Sequence, residues 1–337
     1  MKKLIGMAAA ALALLLCSGA QAQIYQVAQM NADQLRALDR QKTVVLLPGG
    51  ILEQHGPHLP SYTDGYSNAW LTERLAEAIA ARPGWAVLVF PMVPLGHGAA
   101  NELGARYVAP GSYTVRRSTL RAVFMDWATE LGEQGFRRVF VVHAHGSPHH
   151  NQALDQAGDY FRDTYGGSMV NLHGLMPTPQ QLARLRLPPA GTPPAPADDK
   201  ENGAFDVHAG LEETSRLLFV RPDLVNPSYR SLPPLAVNSP MDLFQLPRAT
   251  SWPGYLGSPR LATAAYGAVL EQERAAQYNA LALAILDGLD DREIPRYASF
   301  MLGNKGITSG LEGSDRYEAE LARKQQDWAR KKGIDLR

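Results

Sequence analysis

The sequence predicts an α/β fold in which helices pack on a mostly parallel β-sheet. Two observations support this prediction: four short apolar runs have the length of strands, and amphipathic helical stretches lie between them. Alternation of strands and helices is typical of parallel sheets covered by helices. A chain of 337 residues is long enough to build such a domain around a sizeable core.

The four candidate strands are continuous apolar runs without polar alternation. Such runs suit strands that are buried on both faces, as in parallel sheets. The segments are TVVLLP (43–48), WAVLVFP (85–91), RRVFVVHAH (137–145) and SMVNLH (168–173).

Helical periodicity is expected in four further stretches. In the first, Leu71, Leu75 and Ile79 share one face, and Ser67 or Asn68 is the expected N-cap. The last is charged and amphipathic, which favours a solvated surface helix at the C-terminus. The four stretches are residues 67–81, 114–133, 262–288 and 316–333.

The N-terminus has the layout of a secretory signal peptide. Two lysines precede an apolar run, and Ala20-Gln21-Ala22 offers a cleavage site after Ala22. The apolar run is shorter than the roughly 20 residues that a membrane span needs. We therefore expect a signal peptide over 1–22, a single α/β domain over 23–337 and a periplasmic or secreted protein without a membrane anchor. Within the domain, the Pro-rich segment 187–203 is expected to form a surface loop.

Composition and motif content count against nucleic-acid binding, disulfide bonding and a serine nucleophile. The formal net charge is zero and no stripe of Lys or Arg stands out, so nucleic-acid binding has no electrostatic support. The only cysteine lies inside the predicted signal peptide, so the mature chain forms no disulfide and depends on its core. A serine-nucleophile hydrolase is disfavoured because no G-x-S-x-G elbow occurs.

The nine histidines all lie between residues 55 and 208, and most of them fall in three places. The places adjoin predicted strand ends, where open α/β sheets bind ligands. Carboxylates accompany the first and third places. The residues are His55 and His58 with Glu53 and Asp64, then His143, His145, His149 and His150, and finally His208 with Asp206, Glu212 and Glu213.

Imidazoles and carboxylates in this density predict a divalent transition-metal site. Glu53 and His55 are two residues apart and share one side of an extended segment, and a Pro-containing turn can return Asp64 to them. Zn, Mn, Fe and Ni accept such mixed ligands. Two ions about 3.5–4 Å apart could hold a water between them and turn it into a nucleophile. Burial of Glu53 and Asp64 without partners would cost several kcal/mol each.

Three segments together resemble the creatininase family of metal-dependent amidohydrolases. They are LLPGGILEQHGPHLPSYTD (46–64), GFRRVFVVHAHG (135–146) and HAGLEETS (208–215), in the family's order. The resemblance implies a three-layer α/β/α fold, two divalent ions, hydrolysis of a non-peptide or unusual C–N bond, a small-molecule substrate and a homo-oligomer, often a hexamer. Zinc is the first expectation for the metal, with manganese or iron as alternatives.

The resemblance also implies roles for individual residues. Glu53 and His145 would bind one ion, His55 and Glu213 the other, and Asp64 would bridge the two. His208 would act as general acid and base near the departing nitrogen. Four residues are candidates for substrate contacts: Asn101 and Glu102, which precede APGSYT, and His149 and His150. The alternative for the two histidines is the polar first turn of the next helix.

The chain departs from the family pattern after the central strand. Where the family has Asn-Gly-His-Gly-Gly-Asn, this chain has His143-Ala-His145-Gly followed by Ser147 and Pro148. The resemblance implies that creatininase itself has a glutamate ligand two residues after the central histidine. This chain has Ser147 at that position, and serine is no equivalent ligand. The sequence therefore does not favour creatinine as the substrate.

The function predicted from the sequence is metal-dependent hydrolysis of a small cyclic amide, formamide or related amide by a metal-bridging water. One alternative is a lactonase or esterase on the same metals, because the same water can attack an ester carbonyl. The other is a non-catalytic periplasmic protein that binds metal or ligand, which the stiff turn at Pro148 would favour.

Overall fold

The structure is a computed structural model that describes residues 23–185 and 199–335. The predicted signal peptide lies outside these residues, as does most of the predicted Pro-rich loop, so both stay predictions. None of the helices in the described part of the chain is long and apolar enough to cross a lipid bilayer.

A five-stranded parallel sheet forms the centre of the fold. Its order is β1-β3-β2-β4-β5, and every neighbouring pair is parallel. The strands are β1 (Gln23–Gln26), β2 (Thr43–Pro48), β3 (Ala86–Val89), β4 (Arg138–Val142) and β5 (Ser168–Asn171). Strand β2 is central and completely buried, so the loop that follows it starts in the middle of the sheet edge.

Ten α-helices occur in the described ranges, and four of the longer ones cover the sheet. They are α1 (Ala32–Arg36), α2 (Thr63–Ala80), α3 (Arg117–Glu133), α4 (Pro148–Tyr165), α5 (Pro179–Arg184), α6 (Leu211–Val220), α7 (Asp242–Gln245), α8 (Ala264–Leu286), α9 (Tyr297–Leu302) and α10 (Lys305–Lys332).

Alternating side chains of the strands build a core on each face of the sheet. Val44 and Leu46 of β2 pack into the first core, to which helices α2 and α8 contribute. Val45 and Leu47 of the same strand pack into the second core, formed with α3 and α4. The result is the predicted three-layer α/β/α arrangement.

The four predicted strands and four predicted helical stretches are present, with different bounds in places. Strand β4 ends at Val142 rather than 145, so His143 and His145 leave the sheet. Helix α2 begins at Thr63, so the expectation that Ser67 or Asn68 caps it is wrong. Both lie inside the helix, and the Asn68 amide bonds to the strand ends instead of to a helix terminus.

Two elements differ from the sequence pattern for physical reasons. Strand β1 is four mostly exposed residues and pairs only with β3, so it carries no apolar signal. Helix α10 begins at Lys305, well before 316, although glycines in its first half lower helix propensity. Gly310 lies against the Phe244 ring and Gly313 against Tyr107, where a Cβ would clash. Close packing therefore outweighs propensity there.

Candidate metal centre

The candidate site lies at the carboxyl ends of the two central strands. Glu53 and His55 lie in the loop that follows β2, and His145 lies three residues beyond the end of β4. Strands β2 and β4 are direct neighbours, so their carboxyl ends bring these loops together. Parallel sheets place ligand sites at this edge.

Asp64 reaches the site because helix α2 starts very close to the end of β2. A Cβ on Gly50 would lie 2.6 Å from the Gly65 Cα atom, so only glycine allows this approach. Asn68 then ties the two strand ends together: its amide donates to the carbonyls of Gly49 (2.8 Å) and Ala144 (3.2 Å) and accepts from the Ala144 N–H (3.0 Å).

His208 and Glu213 come from a distant part of the chain through a tight turn into helix α6. Between them, Ala209 is fully buried and has a positive φ of 49°, a conformation that non-glycine residues seldom adopt. Its N–H donates to Glu213 Oε2 at 2.6 Å. Backbone strain of this kind concentrates at functional sites, where surrounding contacts hold it.

The structure brings all six residues with predicted metal or proton-transfer roles into one cluster. Three overlapping groups have ligand atoms within 4.8 Å of one another, and two of them share Asp64. The groups are Glu53 with Asp64 and His145, His55 with Asp64 and Glu213, and Glu53 with His55 and His208.

Backbone hydrogen bonds orient the imidazoles of His55 and His145. His55 Nδ1–H donates to the Glu53 carbonyl at 3.0 Å, which turns Nε2 toward Asp64 Oδ1 (3.4 Å) and Glu213 Oε2 (3.5 Å). His145 Nε2–H donates to the Gly98 carbonyl at 3.1 Å, which turns Nδ1 toward Asp64 Oδ2 (3.0 Å) and Glu53 Oε2 (3.4 Å). A backbone carbonyl behind the imidazole is the usual partner of a metal-ligating histidine.

The electrostatics of the cluster favour a cation. Burial lowers the pKa of His55, but the carboxylates of Glu213, Asp64 and Glu53 raise it more, to about 10. Burial likewise lowers the pKa of His145, yet Glu53 and Asp64 raise it to about 9. Burial raises the pKa of Asp64, but hydrogen bonds from His145 and His55 hold that pKa well below its usual range.

A divalent cation fits this donor set. His55 Nε2 is buried, and the oxygens nearest to it, Asp64 Oδ1 and Glu213 Oε2, lie at the long distances of 3.4 and 3.5 Å, which is costly unless an ion or proton satisfies it. The carboxylates of Glu53, Asp64 and Glu213 converge there with the imidazoles of His55 and His145. Mixed N/O ligand sets of this kind suit Zn, Mn or Fe.

His208 lies beside the ligands but is oriented differently. Its Nε2–H donates to the Gln54 carbonyl at 2.7 Å, and Nδ1 lies 3.6 Å from Glu53 Oε1 and 3.9 Å from Glu213 Oε2. Burial and the neighbouring His55 hold the pKa of His208 well below its usual range. The imidazole is therefore neutral, with a free Nδ1 lone pair facing the site.

Two cavities reach the cluster from different sides. The first cavity, about 170 Å³, is lined by Asp64, His145 and Glu213 and by Asp206, Glu212, Arg216 and Arg274. The second cavity, about 90 Å³, is lined by Glu53, His145, His208 and Glu213 and by Glu102, His149, Leu311 and Ser314. Both are lined by His145 and Glu213, so both give a small molecule access to the cluster.

The four candidate substrate contacts divide into two pairs. Glu102 and His149 line the second cavity. Asn101 and His150 do not: Asn101 bonds to Ser112 and the Arg106 carbonyl, and His150 is fully buried. Both side chains serve internal hydrogen bonds, so the cavities give no support to a substrate contact of Asn101 or His150, which stays a prediction.

The His-rich segment after β4 has a structural explanation. Pro148 is the first residue of α4, where its missing N–H costs nothing, and Ser147 Oγ accepts from the His150 N–H at 3.4 Å. His150 Nε2 lies 3.1 Å from His143 Nδ1. His149 and His150 therefore lie in the polar first turn of helix α4, which was the alternative expected for them.

The remaining histidines are held away from the ligand atoms. His58 Nε2 lies 2.9 Å from Thr214 Oγ1, His97 Nδ1 lies 3.0 Å from the Val115 carbonyl, and His173 Nδ1 lies 3.2 Å from the Tyr278 hydroxyl.

Sequence reasoning missed several residues that line the cavities, and four of them matter for what the cavities could bind. Arg216 and Arg274 belong to the first cavity, and Leu311 and Ser314 of helix α10 belong to the second. Arg216 interrupts the apolar part of α6 and could have been noticed. The other three lie on helices whose charged or small residues gave no local signal.

Comparison with known proteins agrees with the site. The model of the creatininase family, described as creatinine amidohydrolase, matches residues 28–282. The chain belongs to the creatininase family. The predicted family and fold class are confirmed, and all six clustered residues lie inside the matched stretch. Helices α9 and α10 lie outside it.

Relatives within this family differ in what their names say they act on. Creatinine amidohydrolase of Pseudomonas putida is 28% identical over 237 residues, which cover 67% of this chain and 84% of that protein. Mycofactocin precursor peptide peptidase of Mycolicibacterium smegmatis is 29% identical over 235 residues, covering 69% and 81%. A solved structure of creatininase with Mn is 25% identical, has a TM-score of 0.54, and covers 79% of this chain and 98% of its own.

Proposed function

We propose that the protein is a dinuclear metal-dependent hydrolase that cleaves a C–N bond of a small cyclic amide, formamide or related amide. The observation that supports this most is the shared carboxylate: Asp64 belongs both to the group with Glu53 and His145 and to the group with His55 and Glu213. A bridging carboxylate flanked by two ligand pairs is the arrangement that holds two ions in one site. Membership of the creatininase family supports the same class of reaction.

The proposed ligands are those expected from the sequence. Glu53 and His145 would hold one ion, His55 and Glu213 the other, and Asp64 both, with zinc first and manganese or iron as alternatives. When bound, the ions would acidify a water and polarise the substrate carbonyl. The buried position of these ligands keeps bulk water away from the reacting carbonyl, which strengthens electrostatic interactions there.

His208 is proposed to carry the proton. Its Nε2–H is committed to the Gln54 carbonyl, so only Nδ1 can accept a proton. Nδ1 lies 3.6 Å from Glu53 and 3.9 Å from Glu213, and so beside the proposed ions and the group they would hold. From there the imidazolium can donate to the departing nitrogen.

The secreted or periplasmic location is also a proposal. It rests on the signal-peptide layout of residues 1–22, with a cleavage site after Ala22. Amino-terminal sequencing of protein exported by the native host tests it.

Assembly into a homo-oligomer, a hexamer by resemblance, stays a prediction that light scattering of the purified protein tests.

The decisive experiment measures metal content and turnover on the same preparations. Elemental analysis should find about two transition-metal ions per wild-type chain, and fewer in Glu53→Gln and Asp64→Asn. Turnover is then screened with cyclic amides, formamides, a short peptide amide and matched lactones. A wild-type protein without metal after supplementation with Zn or Mn would overturn the hydrolase. Metal without any turnover would favour a binding protein, and faster lactone cleavage an esterase.

His208 also belongs to the third ligand group, so it could bind metal instead of transferring a proton. The His208→Gln variant separates these two roles. We expect metal content to stay at the wild-type level and kcat to fall about 10²- to 10⁴-fold. Loss of one ion in this variant would instead make His208 a ligand.

A further inference from the structure

The first cavity contains two arginines that the proposed hydrolysis does not use. Arg216 lies on helix α6 and Arg274 on helix α8, and both line the cavity together with Asp64, His145 and Glu213. The wall of the first cavity therefore contains both candidate metal ligands and two guanidinium groups.

Arg216 is buried and held in place by acidic neighbours. Its Nη2 donates to Glu212 Oε2 at 3.2 Å, and Nη1 lies 3.5 Å from Glu271 Oε1. Glu271 is fully buried, accepts a hydrogen bond from Ser67 and is not part of the cavity wall. This carboxylate behind the wall stabilises positive charge without occupying the cavity.

Arg274 is different because its guanidinium is available. No hydrogen bond or ion pair within 4.0 Å joins it to another residue in the described ranges 23–185 and 199–335. Its charge is supported at longer range by Glu271 and Glu212. A partly buried guanidinium without a paired acid is costly, and its planar donors match a carboxylate in a bidentate manner.

We propose that the first cavity binds a carboxylate carried by the substrate, with Arg274 as the main donor and Arg216 beside it. This inference rests on the proposed hydrolysis and names its substrate class: a small amide that bears a free carboxylate, such as an N-acyl amino acid. The amide carbonyl would lie at Asp64 and Glu213, and the carboxylate would point to helix α8. A cavity of about 170 Å³ restricts the substrate to a small one.

The test compares two probes that differ only in charge, N-acetylglycine and N-acetylglycinamide, on the zinc-loaded protein. Calorimetric binding and hydrolysis rate are both measured. The wild type should bind the acid more tightly than the amide, and Arg274→Gln should weaken binding of the acid about 10- to 100-fold while changing the amide less than about threefold. Arg274→Lys keeps the charge and should retain part of the preference.

A matched control removes the same charge at the surface. Arg292 is exposed and pairs with Asp290, so Arg292→Gln should leave both affinities unchanged. Thermal unfolding checks that each variant is folded, and Arg274→Met is used if the glutamine variant is not.

The outcomes separate this inference from the proposed function. Equal wild-type affinity for the two probes, binding of neither, or an unchanged preference in Arg274→Gln overturns the carboxylate subsite, even if another amide is hydrolysed. A preference that depends on Arg274, without hydrolysis of any amide, supports the subsite and counts against the hydrolase.

Discussion

Loading the metal-free protein with zinc at pH 7 should release about two to three protons per chain. In the absence of metal, His55 Nε2 faces Asp64 and Glu213, and His145 Nδ1 faces Asp64 and Glu53. A proton on each of these nitrogens occupies the position where an ion would bind. Each proton must leave when the nitrogen becomes a ligand.

The expected number follows from the pKa values of the cluster. His55, with a pKa of about 10, and His145, with a pKa of about 9, are both protonated at pH 7. Asp64 is already ionised and releases nothing. Glu53, whose pKa burial raises to about 7, adds about half a proton. The apparent affinity of each ion should therefore rise about tenfold per pH unit between pH 6 and 8.

Titration calorimetry in several buffers measures this release directly. The slope of the observed enthalpy against the ionisation enthalpy of the buffer is the number of protons exchanged. His145→Ala should reduce the slope by about one. His173→Gln should leave it unchanged, because burial lowers the pKa of His173 to about 3 and it carries no proton to lose. A wild-type slope near zero would refute the reasoning that His55 and His145 are both protonated and lose their protons to the ions.

Two further substitutions test how the fold positions the site. Gly50→Ala should lower stability by about 1–3 kcal/mol and reduce zinc content, because its Cβ would lie 2.6 Å from the Gly65 Cα atom and displace Asp64; normal stability and zinc content would contradict this positioning. Asn68→Leu leaves the buried Gly49 carbonyl and Ala144 N–H without their partner and should cost about 2–4 kcal/mol in urea unfolding. A cost below about 1 kcal/mol would mean that water or a backbone shift replaces these bonds.

Much of the sheet and part of the site could be predicted because their signals are local. Strand β2 coincides with the apolar run 43–48, and Glu53 and His55 are close in sequence to its end. His208 and Glu213 stood out as a separate group of histidine and acids, but their individual roles came only from the resemblance to the creatininase family, since more than 140 residues separate them from Glu53. No periodicity links such distant residues.

Other features depend on tertiary contacts that the local sequence does not show. His150, a candidate substrate contact, is completely buried, and its ring bonds to His143 and to the His97 N–H. Helix α10 extends through a glycine-rich segment because those glycines pack against aromatic rings. In both places a neighbour distant in sequence determines the outcome.

By itself, the sequence determined the α/β class, the strand ends that carry the chemistry and the types of ligand available there. Those properties depend on side-chain chemistry and on periodicities of two and 3.6 residues. Only the tertiary structure decided that Asp64 faces two ligand pairs at once and that Arg274 opens into the same cavity. These relations depend on how close α2 approaches β2 and how α8 packs on the sheet, because distances between elements arise from packing and not from the residues of either element alone.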